Sequence, residues 1–86
     1  MNVKQRVRQF IVENFYVSDE AALTSETSLV TGGYVDSTGM LEVVGFVETE
    51  FGVRVADTEL VPENFETIAR IAAFIARKQP TTTATA

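Results

Sequence analysis

The chain has 86 residues, enough for one domain with a small core, and 45% of them are hydrophobic, which favours a folded chain over a disordered one. It has no cysteine and no histidine, so disulfide frameworks, zinc sites and catalysis by thiol or imidazole groups are excluded. With 12 acidic and 7 basic residues the net charge is −5, which disfavours nucleic acid and anionic membranes as partners and favours proteins with basic patches.

The first predicted element is an amphipathic helix that should end between Asn14 and Tyr16. Apolar residues recur at helical spacing on one side, while most of the charged residues fall on the other. The apolar positions are Val3, Val7, Phe10, Ile11 and Phe15. Neither this segment nor any other has the long apolar stretch of a secretory signal or a membrane span, so a cytoplasmic protein is expected.

A long loop is predicted from Val17 to Val35, because this stretch is rich in serine, threonine, aspartate and glycine. Loops of this length are uncommon in compact domains and are often functional. Leu23, Leu29 and Val30 are isolated apolar residues within it. We expect them to hold the loop against the core.

The most informative dipeptide is Asp36-Ser37, where the loop meets the second apolar-periodic segment. A serine in the first turn of a helix lies beside backbone N–H groups that have no intrahelical partner and beside the positive end of the helix dipole. A phosphate ester is favoured at such a place. Ser37 is therefore a candidate modification site, although either residue could simply cap the helix, since both are good N-cap residues.

The second predicted helix follows Ser37 and ends near Gly52, where a residue with positive φ is often required. Its apolar positions fall within one stripe of about 100°, the width of a core-facing surface. The stripe consists of Met40, Val43, Val44, Val47 and Phe51. Another face, which we call the docking face, combines carboxylates, small residues and one leucine: Thr38, Leu41, Glu42, Gly45, Glu48 and Thr49.

The remainder of the chain predicts an extended loop, a short helical turn and a final helix. Val53 to Val55 is too short to assign as a strand, and Asp57 to Phe65 should hold at most a short turn because Pro62 limits its extension. Thr67 can cap the final helix, which closes with basic residues at its negative end. The inward residues are Ile68, Ile71, Ala72 and Ile75, with Phe65 and Phe74 completing the core. An all-α bundle of three main helices plus one short helix is therefore predicted.

We expect residues 1–78 to form this helical domain and residues 79–86 to be a mobile tail, because the tail is small and polar and has nothing to bury. The tail could also be the stub of an interdomain linker. Because the chain opens with Met1 and little precedes the first helix, a free-standing monomer is expected rather than an excised domain.

The chain resembles the acyl carrier protein family in the spacing of two motifs, Asp36-Ser37 and Glu50-Phe51-Gly52. The last helix then follows at the distance expected for that family. In that family a serine after aspartate, at the start of the second helix, carries 4'-phosphopantetheine. The resemblance covers nearly the whole chain. It implies that Ser37 bears this arm, that Asp36 is the adjacent acid, and that the thiol of the arm holds an acyl group as a thioester.

Two positions depart from the family pattern, which most often has leucine and then an acid after the serine. Here these positions are Thr38 and Gly39, so two groups that partner enzymes of the family commonly touch are missing. This difference argues against recognition by standard fatty-acid enzymes. It favours a carrier in a specialised biosynthetic pathway.

The resemblance further implies a non-catalytic carrier that is loaded by a phosphopantetheinyl transferase and visits acyl or aminoacyl ligases, synthases and transferases. Nucleophilic catalysis by Ser37 would need a general base within reach, and the chain has no histidine to supply one. Glu42 and Glu48 on the docking face are expected to steer partners with basic docking patches, through attraction that weakens with salt. Reversing both charges is expected to change stability by less than about 0.5 kcal/mol.

Three functions stay open from the residues and the resemblance. The first is a stand-alone acyl carrier that serves a specialised biosynthetic pathway of the fatty-acid or polyketide kind. The second is an aminoacyl or peptidyl carrier, a related class that typically places a Gly-Gly pair closer to its serine than Gly32-Gly33 lie to Ser37. The third is an unmodified acidic helical adaptor, in which Ser37 is only a cap.

Overall fold

The computed structural model describes residues 2–79, and this part of the chain contains four α-helices. Helix α1 spans Val3–Asn14, α2 spans Ser37–Phe51, α3 spans Pro62–Phe65 and α4 spans Ile68–Lys78. Short 3-10 turns lie at Glu20–Ala22 and Asp57–Glu59. The predicted all-α bundle of three main helices plus one short helix is confirmed.

The tail predicted for residues 79–86 lies outside the described residues, apart from Gln79. Across residues 2–79, every helix falls short of the length and apolar character that crossing a bilayer requires.

Each of the three long helices is preceded by a polar capping residue whose side chain accepts a backbone hydrogen bond. Asn2 accepts the N–H of Gln5 at 2.8 Å, and Thr67 accepts that of Arg70 at 3.1 Å. Such caps satisfy donors of the first helical turn that have no intrahelical partner. At the other end of α2, Gly52 has a φ of 67°, in the left-handed region that favours glycine, as predicted.

The helices pack around one apolar core that receives side chains from all of them. Its buried members are Val7, Ile11, Leu23, Leu29, Val35, Met40, Val43, Val47, Val53, Phe65, Ile68, Ile71, Phe74 and Ile75. The predicted stripe of α2 extends too far at its edges, because Val44 and Phe51 are only half-buried against this core. Ala72 of α4 is likewise half-buried. The helical phase was thus predicted correctly, and the width of the buried surface was overestimated.

The long loop is held by two of its three predicted anchors. Leu23 and Leu29 are buried, but Val30 is 52% exposed, so the prediction was wrong for Val30. The reason is a tight reversal of the chain after Leu29, whose carbonyl oxygen accepts both the N–H of Tyr34 at 2.9 Å and that of Val35 at 3.0 Å. In such a bend the residue next to the anchor is turned towards solvent.

The segment before α4 forms two short helical turns, where the sequence predicted at most one. Pro62 was expected to limit a helix, but in the structure it begins one, since it is the first residue of α3. At that position its missing N–H costs nothing and its fixed φ suits the helix.

The C-terminal end of α4 is fastened to the turn before α3 by an ion pair. Lys78 Nζ lies 2.8 Å from Oε2 of Glu59, and Oε1 of Glu59 accepts the N–H of Ala56 at 2.9 Å. The hydrogen bond from Lys78, and after it the one from Ala56, hold the pKa of Glu59 below its ordinary value of 4.5.

We expect this pair to make stability pH-dependent at acid pH. Because the pKa of Glu59 is lowered in the folded state, its contribution is fully present above pH 4.5 and is lost as the pH falls through the lowered value. The difference in unfolding free energy between wild type and Lys78→Met, measured by urea denaturation across this range, should therefore shrink on acidification. The effect should be small, since both side chains are partly exposed. A difference that does not change with pH would contradict the expectation.

Candidate functional site

The stretch of loop that leads to Ser37 is tied to the junction of α3 and α4 by main-chain hydrogen bonds. Leu29 donates its N–H to the carbonyl oxygen of Glu66 at 2.9 Å. Ala69 donates its N–H to the carbonyl oxygen of Ser25, also at 2.9 Å. The loop therefore sets the start of α2 beside α3.

Asp36 is the N-cap of α2 and orders its first turn. Its Oδ1 accepts the backbone N–H of Gly39 at 2.7 Å, and its carbonyl oxygen accepts that of Met40 at 2.8 Å. These two bonds are those of a standard aspartate cap. Capping is thus one role of Asp36, whether or not it also acts beside a modified serine.

Ser37 is the first residue of α2 and is exposed. Its backbone N–H and that of Thr38 donate to no atom within residues 2–79, since the carboxylate of the cap is bonded to Gly39. Two unpaired donors and the positive end of the α2 dipole therefore lie beside an exposed serine. This arrangement suits an anionic ester on the serine side chain.

The docking face begins at this first turn and continues along α2. Thr38, Leu41, Glu42 and Gly45 are exposed, and Leu41 stands out as a large apolar side chain that is 61% exposed. Glu42 makes no ion pair within residues 2–79. In the two turns that follow Ser37, the face therefore offers an exposed apolar side chain and a carboxylate that makes no ion pair within residues 2–79.

Glu48 differs from the other docking-face residues because its carboxylate is used inside the molecule. The residue is half-buried, and its Oε2 accepts the N–H of Val55 at 2.8 Å. We therefore revise the expectation that both acidic residues can be reversed without loss of stability. A lysine at position 48 would leave the N–H of Val55 without this acceptor, and a buried unsatisfied donor is costly.

Gly45 lies in the middle of α2. Apart from the backbone of its own helix, a Cβ built on it would meet no atom of residues 2–79 within 4 Å. Glycine destabilises a helix interior, so Gly45→Ala should raise the free energy of unfolding by about 1 kcal/mol in urea denaturation. Gly52→Ala is the matched control and should lower it, because alanine is strained at a φ of 67°. A Gly45→Ala variant less stable than wild type would refute this reading of the helix.

A cavity of about 360 Å³ opens beside Ser37, between α2, the long loop and the α3 segment. It is lined by Ser28, Val30, Thr31, Ser37, Met40, Leu60, Val61, Pro62, Phe65 and Glu66. Its volume lies in the range of small-molecule pockets, and much of its wall is apolar. The sequence did not predict that the α3 segment contributes to the site. The one signal was the apolar pair Leu60-Val61 before the proline, and such a pair fits a core position equally well.

Comparison with known proteins identifies the family of this chain. No family model matches the chain. An acyl carrier protein of Thermotoga maritima is 34% identical over 73 residues, a match that covers 85% of this chain and 86% of that protein. A chain in a solved structure described as the crystal structure of an FAD-dependent dehydrogenase matches with a TM-score of 0.66 and 27% identity, covering 85% of this chain and 97% of the other. From the identity and coverage of the Thermotoga relative and the helical fold, the chain belongs to the acyl carrier protein family.

Proposed function

We propose that this protein holds an acyl group as a thioester on a 4'-phosphopantetheine arm attached to Ser37, and delivers it to the enzymes of a specialised biosynthetic pathway. The observation that carries the proposal is the exposed position of Ser37 in the first turn of α2, beside two unpaired N–H groups. Membership of the acyl carrier protein family supports a non-catalytic carrier role.

The residues around Ser37 fit such an arm. The N–H groups of Ser37 and Thr38 and the positive end of the α2 dipole would favour the negative charge of a phosphodiester on Ser37. The cap made by Asp36 keeps the first turn of the helix in order. When bound, the arm supplies the thiol that a chain without cysteine lacks.

The cavity beside Ser37 favours an acyl cargo over an aminoacyl or peptidyl cargo. Met40, Val61 and Phe65 give its wall an apolar character, and apolar surface gains by covering apolar groups of a ligand. An aminoacyl group would bring a charged or strongly polar amine to this wall, where burial without a partner is costly. The aminoacyl carrier therefore remains the second candidate.

Intact-mass spectrometry tests the proposal directly. The wild-type chain is incubated with coenzyme A and a broad-specificity phosphopantetheinyl transferase. We expect its mass to increase by one phosphopantetheine group. No increase would refute the carrier function and leave the unmodified acidic adaptor as the better account.

We further propose that partner enzymes use basic patches on their own surfaces to bind the exposed part of the docking face. The net charge of −5 and the unpaired carboxylate of Glu42 support attraction of this kind.

Reversing the charge of Glu42 should slow loading by a partner with a basic patch. We expect Glu42→Lys to lower the association rate several-fold at low salt and much less at high salt, because steering is screened. Its stability should stay within about 0.5 kcal/mol of wild type, as for other surface substitutions. Glu26→Lys makes the same change of net charge at an exposed position outside the docking face and should load faster than Glu42→Lys. Equal loading rates for the two variants would show that Glu42 is not part of the docking surface.

A further inference from the structure

Gly39, in the first turn of α2, is buried beneath the ring of Phe15 from the end of α1. A Cβ on Gly39 would lie 2.6 Å from Cε1 of Phe15, 3.1 Å from Oδ1 of Asp36 and 3.2 Å from Cγ1 of Val35. Carbon atoms do not approach as closely as the first of these distances without displacement. A side chain at position 39 therefore requires the ring of Phe15 to move from its present position.

The ring of Phe15 is held in place by other aromatic side chains. It meets Phe10 edge to face, with centroids 6.1 Å apart, and Phe10 stacks on Phe46 of α2 at 4.2 Å. The guanidinium group of Arg6 lies over the ring of Phe46, 5.0 Å from its centroid. Aromatic pairs and cation–π contacts in these geometries are attractive. They join α1 to α2 along a row that ends with Phe15 at the first turn of α2.

This contact falls on the part of α2 that determines how Ser37 is presented. Asp36 and Gly39 are the acceptor and the donor of the capping hydrogen bond, and Ser37 lies between them in the chain. A shift of Gly39 changes that bond and, with it, the direction of the serine side chain and of the unpaired N–H groups.

We propose that Phe15 is a positioning residue for the modification of Ser37. Its ring is seated where residue 39 has no side chain, and it keeps the first turn of α2 in the orientation that the modifying enzyme requires. The proposal rests on the proposed function of Ser37. It also gives a physical reason for glycine at position 39.

The test compares Gly39→Ala, Phe15→Leu and the double variant in steady-state transfer of phosphopantetheine from coenzyme A. Gly39→Ala should lower kcat by about tenfold, because small misplacements of a reacting group have effects of this size or larger. KM for the carrier should change little, since the docking face is untouched. Phe15→Leu should lower kcat as well, because the ring that seats the first turn is lost. Since it also removes Cε1, adding Gly39→Ala to Phe15→Leu should lower kcat less than adding Gly39→Ala to the wild type.

A second readout needs no loading at all. The amide of Gly39 donates to Asp36, so its hydrogen exchange reports the order of the first turn. Phe15→Leu should speed this exchange severalfold. The control is Val47→Ala, which disturbs a buried position towards the other end of α2. In this variant kcat should stay unchanged, and the amide of Gly39 should exchange no faster relative to the other α2 amides than it does in the wild type.

The possible results separate the proposed role of Phe15 from the proposed function of Ser37. If Gly39→Ala is folded by urea denaturation and loads with wild-type kcat, or if the effects of the two substitutions on kcat simply multiply in the double variant, Phe15 does not position Ser37. If Gly39→Ala does not fold, Phe15→Leu decides alone, and an unchanged kcat together with unchanged exchange overturns the inference. A wild-type chain that gains no phosphopantetheine refutes the function of Ser37 instead, and the exchange measurement then still tests the role of Phe15 in ordering the turn.

Discussion

Replacing Ser37 with alanine is expected to abolish the gain of phosphopantetheine completely while the fold is retained. The hydroxyl is the proposed attachment atom, and alanine has no oxygen with which to form the ester. The side chain is exposed and makes no hydrogen bond within residues 2–79, and the cap of α2 comes from Asp36. The free energy of unfolding should therefore change by less than about 0.5 kcal/mol.

Intact-mass spectrometry of the incubated variants checks this result, and two nearby hydroxyl groups provide controls. Ser28 lines the same cavity, and Thr38 follows Ser37 in the first turn. Ser28→Ala and Thr38→Ala should both still gain one phosphopantetheine group. Loading of Ser37→Ala would mean that the arm is attached elsewhere, and the carrier site proposed here would then be wrong.

Replacing Phe74 with alanine should cause the largest loss of stability among the substitutions considered, about 3–5 kcal/mol. The side chain is only 1% exposed, and its ring lies 5.2 Å from that of Phe65. Its removal leaves a cavity between α3 and α4 that the backbone cannot fill. Because small domains are stable by only about 5–15 kcal/mol, this loss is a large fraction of the total stability.

Urea denaturation followed by circular dichroism measures this loss. Tyr16→Ala is the matched control, because it also removes an aromatic ring but from a position that is 85% exposed. It should change the free energy of unfolding by less than about 0.5 kcal/mol. Similar values for the two variants would show that the core has been assigned to the wrong face of α4.

Helix α2 contributes residues to three different surfaces, and this explains its composition. Met40, Val43 and Val47 face the core. The docking face carries the exposed residues beside Ser37. A third edge meets α1, where Gly39 receives the ring of Phe15 and Phe46 stacks on Phe10. Because a helix advances about 100° per residue, neighbours in the sequence belong to different surfaces, and the unusual residues after Ser37 have separate causes.

The sequence was sufficient for the features that depend on local chemistry. Helical periodicity located α1, α2 and α4, and cap residues such as Thr67 and Gly52 located helix ends. These signals are reliable because a cap or a turn involves residues within a few positions of one another. The same local chemistry made Ser37 a candidate site, since the unpaired N–H groups belong to its own helix.

Tertiary structure alone decided which side chains from distant parts of the chain meet. Nothing in the sequence predicted that Phe15 covers Gly39, that Glu48 binds the N–H of Val55, or that the α3 segment forms a wall of the cavity beside Ser37. Such contacts depend on the relative placement of helices, which is set by the packing of the whole core. Hydropathy and helical period say which face of a helix is buried, but they do not say which residue it is buried against.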